Sequence, residues 1–102
     1  MIRLPKGEPT SPGEMLVEEF LKPLGLNARQ LALGIKVPPN RVTQIIKGTR
    51  AITPDTALRF ARYFDMTPGF WLNLQLVWDL WHAVHGEHGA EIERIEPLKR
   101  AS

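Results

Sequence analysis

The segment PPNRVTQIIKGTR, residues 38–50, places Asn40, Thr43, Gln44 and Lys47 among apolar residues at helical spacing. With about 100° between successive residues of a helix, Val42, Ile45 and Ile46 fall in one arc. The four polar residues fall on the opposite side, with Arg41 flanking. The chemistry open to such a face is hydrogen bonding. The Asn and Gln amides pair a donor with an acceptor, as adenine does on its major-groove edge; Thr can meet a thymine methyl, and Lys reaches guanine or phosphate. A merely solvated face more often carries Glu–Lys pairs one turn apart, and here no acid stands between Glu19 and Asp55. Bond-making chemistry lacks its parts. The chain has no cysteine, its serines are Ser11 and Ser102, and it has no glycine-rich phosphate loop, so no activated nucleophile can be assembled. The expectation is a protein that is not an enzyme and needs no cofactor.

His82, His85 and His88 stand three apart. Two of them can share a helix face, but a metal site wants three or four ligands and a fixed second shell. Gly86 and Gly89 interrupt the helix that would hold the third, so a solvated helix end is expected and no metal.

At 102 residues with 43 % hydrophobic side chains, the chain suggests one small domain whose modest core gains from a further interface. Five helices and no strand are read. Ser11-Pro12-Gly13-Glu14 opens the first, with a serine cap, a proline at the first position and a glutamate completing a capping box; Pro23 ends or kinks it. Asn27, with Gln30 three residues on, caps the second, whose inner face is Leu31, Ala32 and Ile35. The third is the segment above. Thr53-Pro54 opens the fourth, burying Ala57, Phe60, Ala61 and Phe64. Thr67-Pro68 opens the fifth, which runs to about His85, with Gly86 as the stop. Residues 1–10 are expected to be a flexible arm, 11–86 the domain, and 87–102 an acidic and apolar tail in which Pro97 prevents a long helix. The N-terminal MIRLPKGEP has no apolar run suited to a signal peptide, and no segment approaches the roughly 18 apolar residues of a membrane span.

The second and third helices are separated by only a few residues around Ile35-Lys36-Val37, the geometry of a helix-turn-helix whose second helix enters the major groove. Helix N-termini and Arg29 then face phosphate, and Arg50, past the stop glycine, is placed for a backbone contact. The turn wants a residue tolerant of positive φ, and Lys36 stands there, so strain is expected.

The runs TSPGEMLVEEFLKPLGL, RQLALGIKVPPNRVTQIIKGTRAIT and TALRFARYFDMTPGFWLNLQLVWDL resemble the HigA-type antitoxins over about residues 10–82. These are Cro/repressor-like helix-turn-helix proteins of the XRE family, found in toxin–antitoxin pairs, and FWLNLQ with the upstream SPGE is specific to that group. The resemblance implies an all-α, five-helix, lambda-repressor-like domain with a C-terminal dimerisation helix. It implies a homodimer that binds double-stranded operator DNA, represses its own operon and neutralises a small, RNA-cleaving, RelE-like toxin. Base contacts then belong to Asn40, Thr43 and Gln44, and backbone or base contacts to Arg29, Pro39, Arg41, Lys47 and Arg50. Pro39 stands where many relatives have a polar contact residue, which leaves it an apolar or backbone role. Lys36 stands where the family often has glycine.

Two further patterns bear on partners. The fifth helix is apolar over most of its circumference, so one face should cover a second copy; Leu72, Leu76, Trp78, Leu80 and Trp81 are the expected interface. Charge is segregated: residues 22–62 hold eight basic side chains and one acid, +7, and the remainder five basic and ten acidic, −5. The basic middle suits a polyanion. The acids of the flanks (Glu14, Glu18 and Glu19 in the first helix, Glu87, Glu91, Glu93 and Glu96 in the tail) suit a basic ribonuclease. A stand-alone regulator of the same fold, and an adaptor binding only protein, are the competing readings. A bacterial cytoplasmic, nucleoid-associated location accords with the lack of cysteine.

Overall fold

The computed structural model of the chain describes residues 3–99. The first two residues of the expected arm and the last three of the tail lie outside the described residues. Six helices follow one another, with no strand among the described residues. The first, α1, is continuous from Pro12 to Leu24 but changes pitch: Pro12–Leu16 is α-helical, Val17–Leu21 is a π-helical turn, and Lys22–Leu24 returns to α. Pro23 therefore does not stop the helix at once; the helix runs one residue further, to Leu24. A proline has no N–H for the carbonyl one turn back and its ring crowds that carbonyl. The widened turn, in which the Lys22 N–H reaches back to Val17 C=O, absorbs the mismatch. Gly25, in the left-handed region, then ends α1, and the Leu26 N–H closes on Leu21 C=O at 2.9 Å.

Helix α2 (Ala28–Ile35) starts in a full capping box. Asn27 Oδ1 accepts from the Gln30 N–H at 2.8 Å, and Gln30 Oε1 accepts from the Asn27 N–H at 2.9 Å. At α1 only the serine half of the expected box forms, Ser11 Oγ accepting from the Glu14 N–H at 3.1 Å. Helix α3 (Pro39–Lys47) and helix α4 (Pro54–Phe64) begin with the prolines the sequence marked. Helix α5 (Pro68–Val84) is followed by a short sixth helix, α6 (Gly89–Glu93), which the sequence reading did not separate from the tail.

The core is shared by α1 to α5. Leu16, Leu21, Leu31, Ala32, Ile35, Val37, Val42, Ile45, Ile52, Ala57, Phe60 and Trp71 form one buried cluster. Trp71, fully buried, stands at its aromatic centre, with Phe60 edge-on and Phe20 tilted, each ring centroid 4.9 Å away. Of the faces read from spacing, Leu31, Ala32 and Ile35 of α2, Val42 and Ile45 of α3, and Ala57, Phe60 and Ala61 of α4 are buried, while Ile46 and Phe64 pack half-buried against the cluster. This packing holds α3 by one face and leaves the other free.

The arm differs from the loose segment expected. Trp81 Nε1 donates to Pro5 C=O at 3.1 Å, and His82 Nε2 meets Glu8 Oε2 at 2.9 Å. The arm thereby lies against the second half of α5.

Candidate nucleic-acid interface

The turn between α2 and α3 is residues 36–38. Lys36 adopts φ 63° there, the left-handed conformation its place demanded, and the Val37 N–H closes the end of α2 on Ala32 C=O at 3.0 Å. A β-carbon is disfavoured in that region by about 1–2 kcal/mol, so other contacts must hold the turn. Arg59 of α4 supplies them, donating from Nη1 to Ile35 C=O at 2.8 Å and Lys36 C=O at 3.4 Å.

Arg59 also binds Asp55 through Nε at 2.9 Å, and Asp55 Oδ2 accepts from Arg41 Nη1 at 2.6 Å. The chain Arg41–Asp55–Arg59–Ile35 therefore couples the first turn of α3 to the helix-turn-helix turn through α4. The two guanidinium groups, Arg59's hydrogen bond foremost and Arg41's next, hold the Asp55 carboxyl below its ordinary value of 3.8. A carboxylate with a lowered folded-state value contributes above its unfolded value and loses that contribution as pH falls through the folded one. The tie is therefore intact at neutral pH.

On the free face of α3, Asn40 and Lys47 are exposed, and Thr43 and Gln44 are half-buried at its edge. Thr43 donates its hydroxyl to Asn40 C=O at 3.2 Å, and Gln44 Oε1 accepts from Arg50 Nε at 2.8 Å. Pro39, at the first helical position, is exposed, as are Arg29 at the start of α2 and Arg50 in the loop after α3. Arg41, half-buried, commits one nitrogen to Asp55. Arg50 thus lies beside Gln44 at the end of α3, while Arg29 is exposed on α2.

Two positions fix α3 from behind and were not read from the sequence. Gly13, in the first turn of α1, lies so close to the end of α3 that a β-carbon there would collide with Ile45 C=O and stand 2.8 Å from Ile46 C=O. Gln75 of α5 accepts from the Ile52 N–H at 2.8 Å and donates to Asp79 at 2.9 Å, tying the loop after α3 to α5. Asp55, Arg59 and Gln75 read singly as ordinary helix-surface polars; only the tertiary fold brings their partners within reach.

The expected dimer residues separate into two groups. Leu72, Leu76 and Leu80 are exposed by 36 %, 42 % and 37 % and form a row four residues apart that Val84 extends. Trp78 and Trp81 are half-buried within the chain instead. Trp78 lines grooves with Ser11, Gly13 and Ile46, and Trp81 bonds the arm and stacks on His85 with ring centroids 3.9 Å apart. All-round apolarity arose because the tryptophan side of α5 is used by the chain itself.

Glu14, Glu18 and Glu19 are exposed on α1, and Glu91 and Glu93 are exposed on α6. Glu18 pairs with Lys22 at 2.7 Å and Glu91 with His88 at 3.1 Å. Glu14 and Glu18 line, with Glu8, Val17, Ile46 and Trp78, an open groove of about 340 Å³. Among the described residues no group of three or more His, Cys, Asp or Glu is placed to hold a metal. His82 and His85 turn Nδ1 back to Trp78 and Trp81 C=O, each at 2.8 Å. No helix among the described residues is long and apolar enough to cross a membrane.

Comparison with known proteins bears on this geometry. Residues 17–71 match the helix-turn-helix family HTH_3. The chain is 51 % identical over 69 residues to virulence-associated protein I of Dichelobacter nodosus, an alignment that takes in 68 % of this chain and 64 % of that protein's length. It is 37 % identical over 97 residues to antitoxin HigA-1 of Vibrio cholerae, covering 95 % of this chain and 90 % of the relative. The antitoxin HigA of Pseudomonas aeruginosa, solved with the higBA promoter, superposes with a TM-score of 0.83 at 39 % identity, over 89 % of this chain and 99 % of that one.

Proposed function

Because the chain belongs to the helix-turn-helix family and to its HigA-type antitoxins, we propose that it is a dimeric, sequence-specific repressor that reads its operator with α3 and neutralises a basic, RNA-cleaving toxin. One observation carries the DNA-reading part. The face of α3 turned away from the core holds Asn40, Thr43, Gln44 and Lys47, Arg50 is exposed beside it, and Arg29 is exposed at the start of α2. Asn40, Thr43 and Gln44 face base edges, while Arg29, Lys47 and Arg50, with the exposed Pro39, follow the backbone that sets register. Arg41 reaches DNA with the nitrogens that Asp55 leaves free.

The exposed row Leu72, Leu76, Leu80 and Val84 supports self-association, since a regular apolar stripe on a long helix seeks a partner. Two copies would present two recognition helices to a two-fold site. Toxin contact is supported by charge: Glu14 and Glu18 edge a groove lined by Val17 and Trp78, and Glu91 and Glu93 are exposed on α6. A basic ribonuclease and the DNA would each be steered to its own face. The setting is the bacterial cytoplasm, at the nucleoid.

Titration with duplex DNA at several salt concentrations tests the first part. Binding should select one sequence from a random pool and weaken steeply with salt as counterions are released. Co-expression with the neighbouring reading frame tests the second. Co-purification of a small basic protein supports the antitoxin, and its absence favours the stand-alone regulator.

A further inference from the structure

The loop after α3 is built around a single residue, Gln44. Gly48 takes φ 81° and turns the chain back, so that the Thr49 N–H closes on Gln44 C=O at 2.9 Å. The Thr49 hydroxyl donates to the same carbonyl at 3.3 Å. This cap delivers Arg50 to the side chain of Gln44, where Arg50 Nε donates to Oε1 at 2.8 Å. The orientation of the amide is therefore decided by chemistry. A guanidinium has five donors and no acceptor, so only the oxygen of Gln44 can face it. Gln44 Nε2 and the two Nη nitrogens of Arg50 make no hydrogen bond among the described residues, and Arg50 is exposed.

A free glutamine matches adenine because its oxygen takes the N6 amino hydrogen while its nitrogen meets N7. Here the oxygen is occupied by a cation. Its remaining lone pair is a weakened acceptor, and the guanidinium beside it repels the positive end of an amino group. What this edge offers outward is donors: the Nε2 hydrogens and, beside them, the Nη hydrogens of Arg50. Guanine presents two neighbouring acceptors, N7 and O6, and no donor on its major-groove edge.

Resting on the DNA-reading role proposed above, we propose that Arg50 fixes Gln44 as a donor-only reader, so that the pair selects guanine rather than adenine at the base pair it meets. Arg50 is then a specificity-determining residue as well as a backbone contact.

The test is selection from a pool of random duplexes by the full chain, with sequencing of the bound fraction. The base pair whose preference vanishes in Gln44→Ala marks the contact. Wild type should enrich guanine there, and replacing that guanine by 7-deazaguanine, which lacks the N7 acceptor, should weaken binding by roughly tenfold. Arg50→Ala, which releases Oε1, should move the preference toward adenine, whatever it does to overall affinity. Gln44→Glu, an acceptor held by Arg50, should move it to a base with an amino edge. Adenine enriched by wild type, or a preference unchanged by Arg50→Ala and Gln44→Glu alike, would overturn the inference while leaving DNA reading intact. A pool from which nothing is enriched would instead sink the DNA-reading function itself.

Discussion

Replacing Gly13 by alanine should destabilise the protein and loosen its hold on DNA, although helix propensity alone says the reverse. Alanine inside a helix is favoured over glycine by up to about 1 kcal/mol. At Gly13, however, the added methyl would meet Ile45 C=O, with Ile46 C=O at 2.8 Å and Ile46 Cα at 2.9 Å. All three are backbone atoms of α3, so no side chain can rotate away and α1 and α3 must move apart. Overpacking of this kind costs about 1–3 kcal/mol. Set against the full propensity gain, a net loss of up to about 2 kcal/mol remains, or a fall in Tm of up to roughly 15 °C for a domain of this size. Gly69 is an internal control, because Pro68-Gly69 opens α5 as Pro12-Gly13 opens α1 and a β-carbon at Gly69 would meet nothing within 4 Å. With both changes placed in a Leu76→Asp background to remove self-association, thermal unfolding by circular dichroism should show Gly69→Ala level or raised and Gly13→Ala lowered. Operator affinity should fall for Gly13→Ala as the end of α3 shifts. Equal stability for the two variants, with operator binding unchanged, would refute the tight crossing of α1 on α3.

Leu76→Asp and Leu80→Asp should each convert a dimer to a monomer in sedimentation, whereas Trp78→Ala should lower Tm with less effect on association, because Trp78 packs inside its own chain. Lys36→Gly should raise stability by about 1 kcal/mol in urea unfolding by relieving the left-handed strain at φ 63°. The arm's tie should depend on pH. His82 faces acceptors with both ring nitrogens, and the Trp78 carbonyl first, then Glu8, raises it above its ordinary 6.5. A raised folded-state value means the tie contributes fully below the unfolded value and is lost as pH rises through the folded one. Trp81 fluorescence should follow that loss on going to alkaline pH, and Glu8→Gln should weaken the pH response.

The sequence disclosed most of what is local. Helix starts were legible because prolines at first positions and caps such as Asn27 with Gln30 act over three residues, and the buried faces followed from spacing. The positive φ of Lys36 was legible from the shortness of the turn. The π turn was not, since Pro23 announces a missing donor without saying whether the chain will break or widen. The division of α5 was hidden for a different reason. Trp78 and Leu76 are equally apolar, and only the path of the arm shows which side the chain covers for itself. At the interface, residue types pointed to the reading face, but Arg41–Asp55–Arg59 and Gln44–Arg50 join residues whose pairing depends on helix crossing and loop path. A list of polar residues could not say that Gln44 arrives with its oxygen already occupied.

Sequence reading by the free face of α3 can be measured by titrating wild type and Asn40→Ala against the selected duplex and a scrambled one over a range of salt. Asn40 makes no side-chain hydrogen bond among the described residues and is exposed, so its truncation should leave the fold alone. Asn40→Ala should lose about 1–3 kcal/mol on the selected duplex and nothing on the scrambled one, with the salt slope of wild type on each. An equal loss on the two duplexes, or no loss on either, would contradict sequence reading by this face.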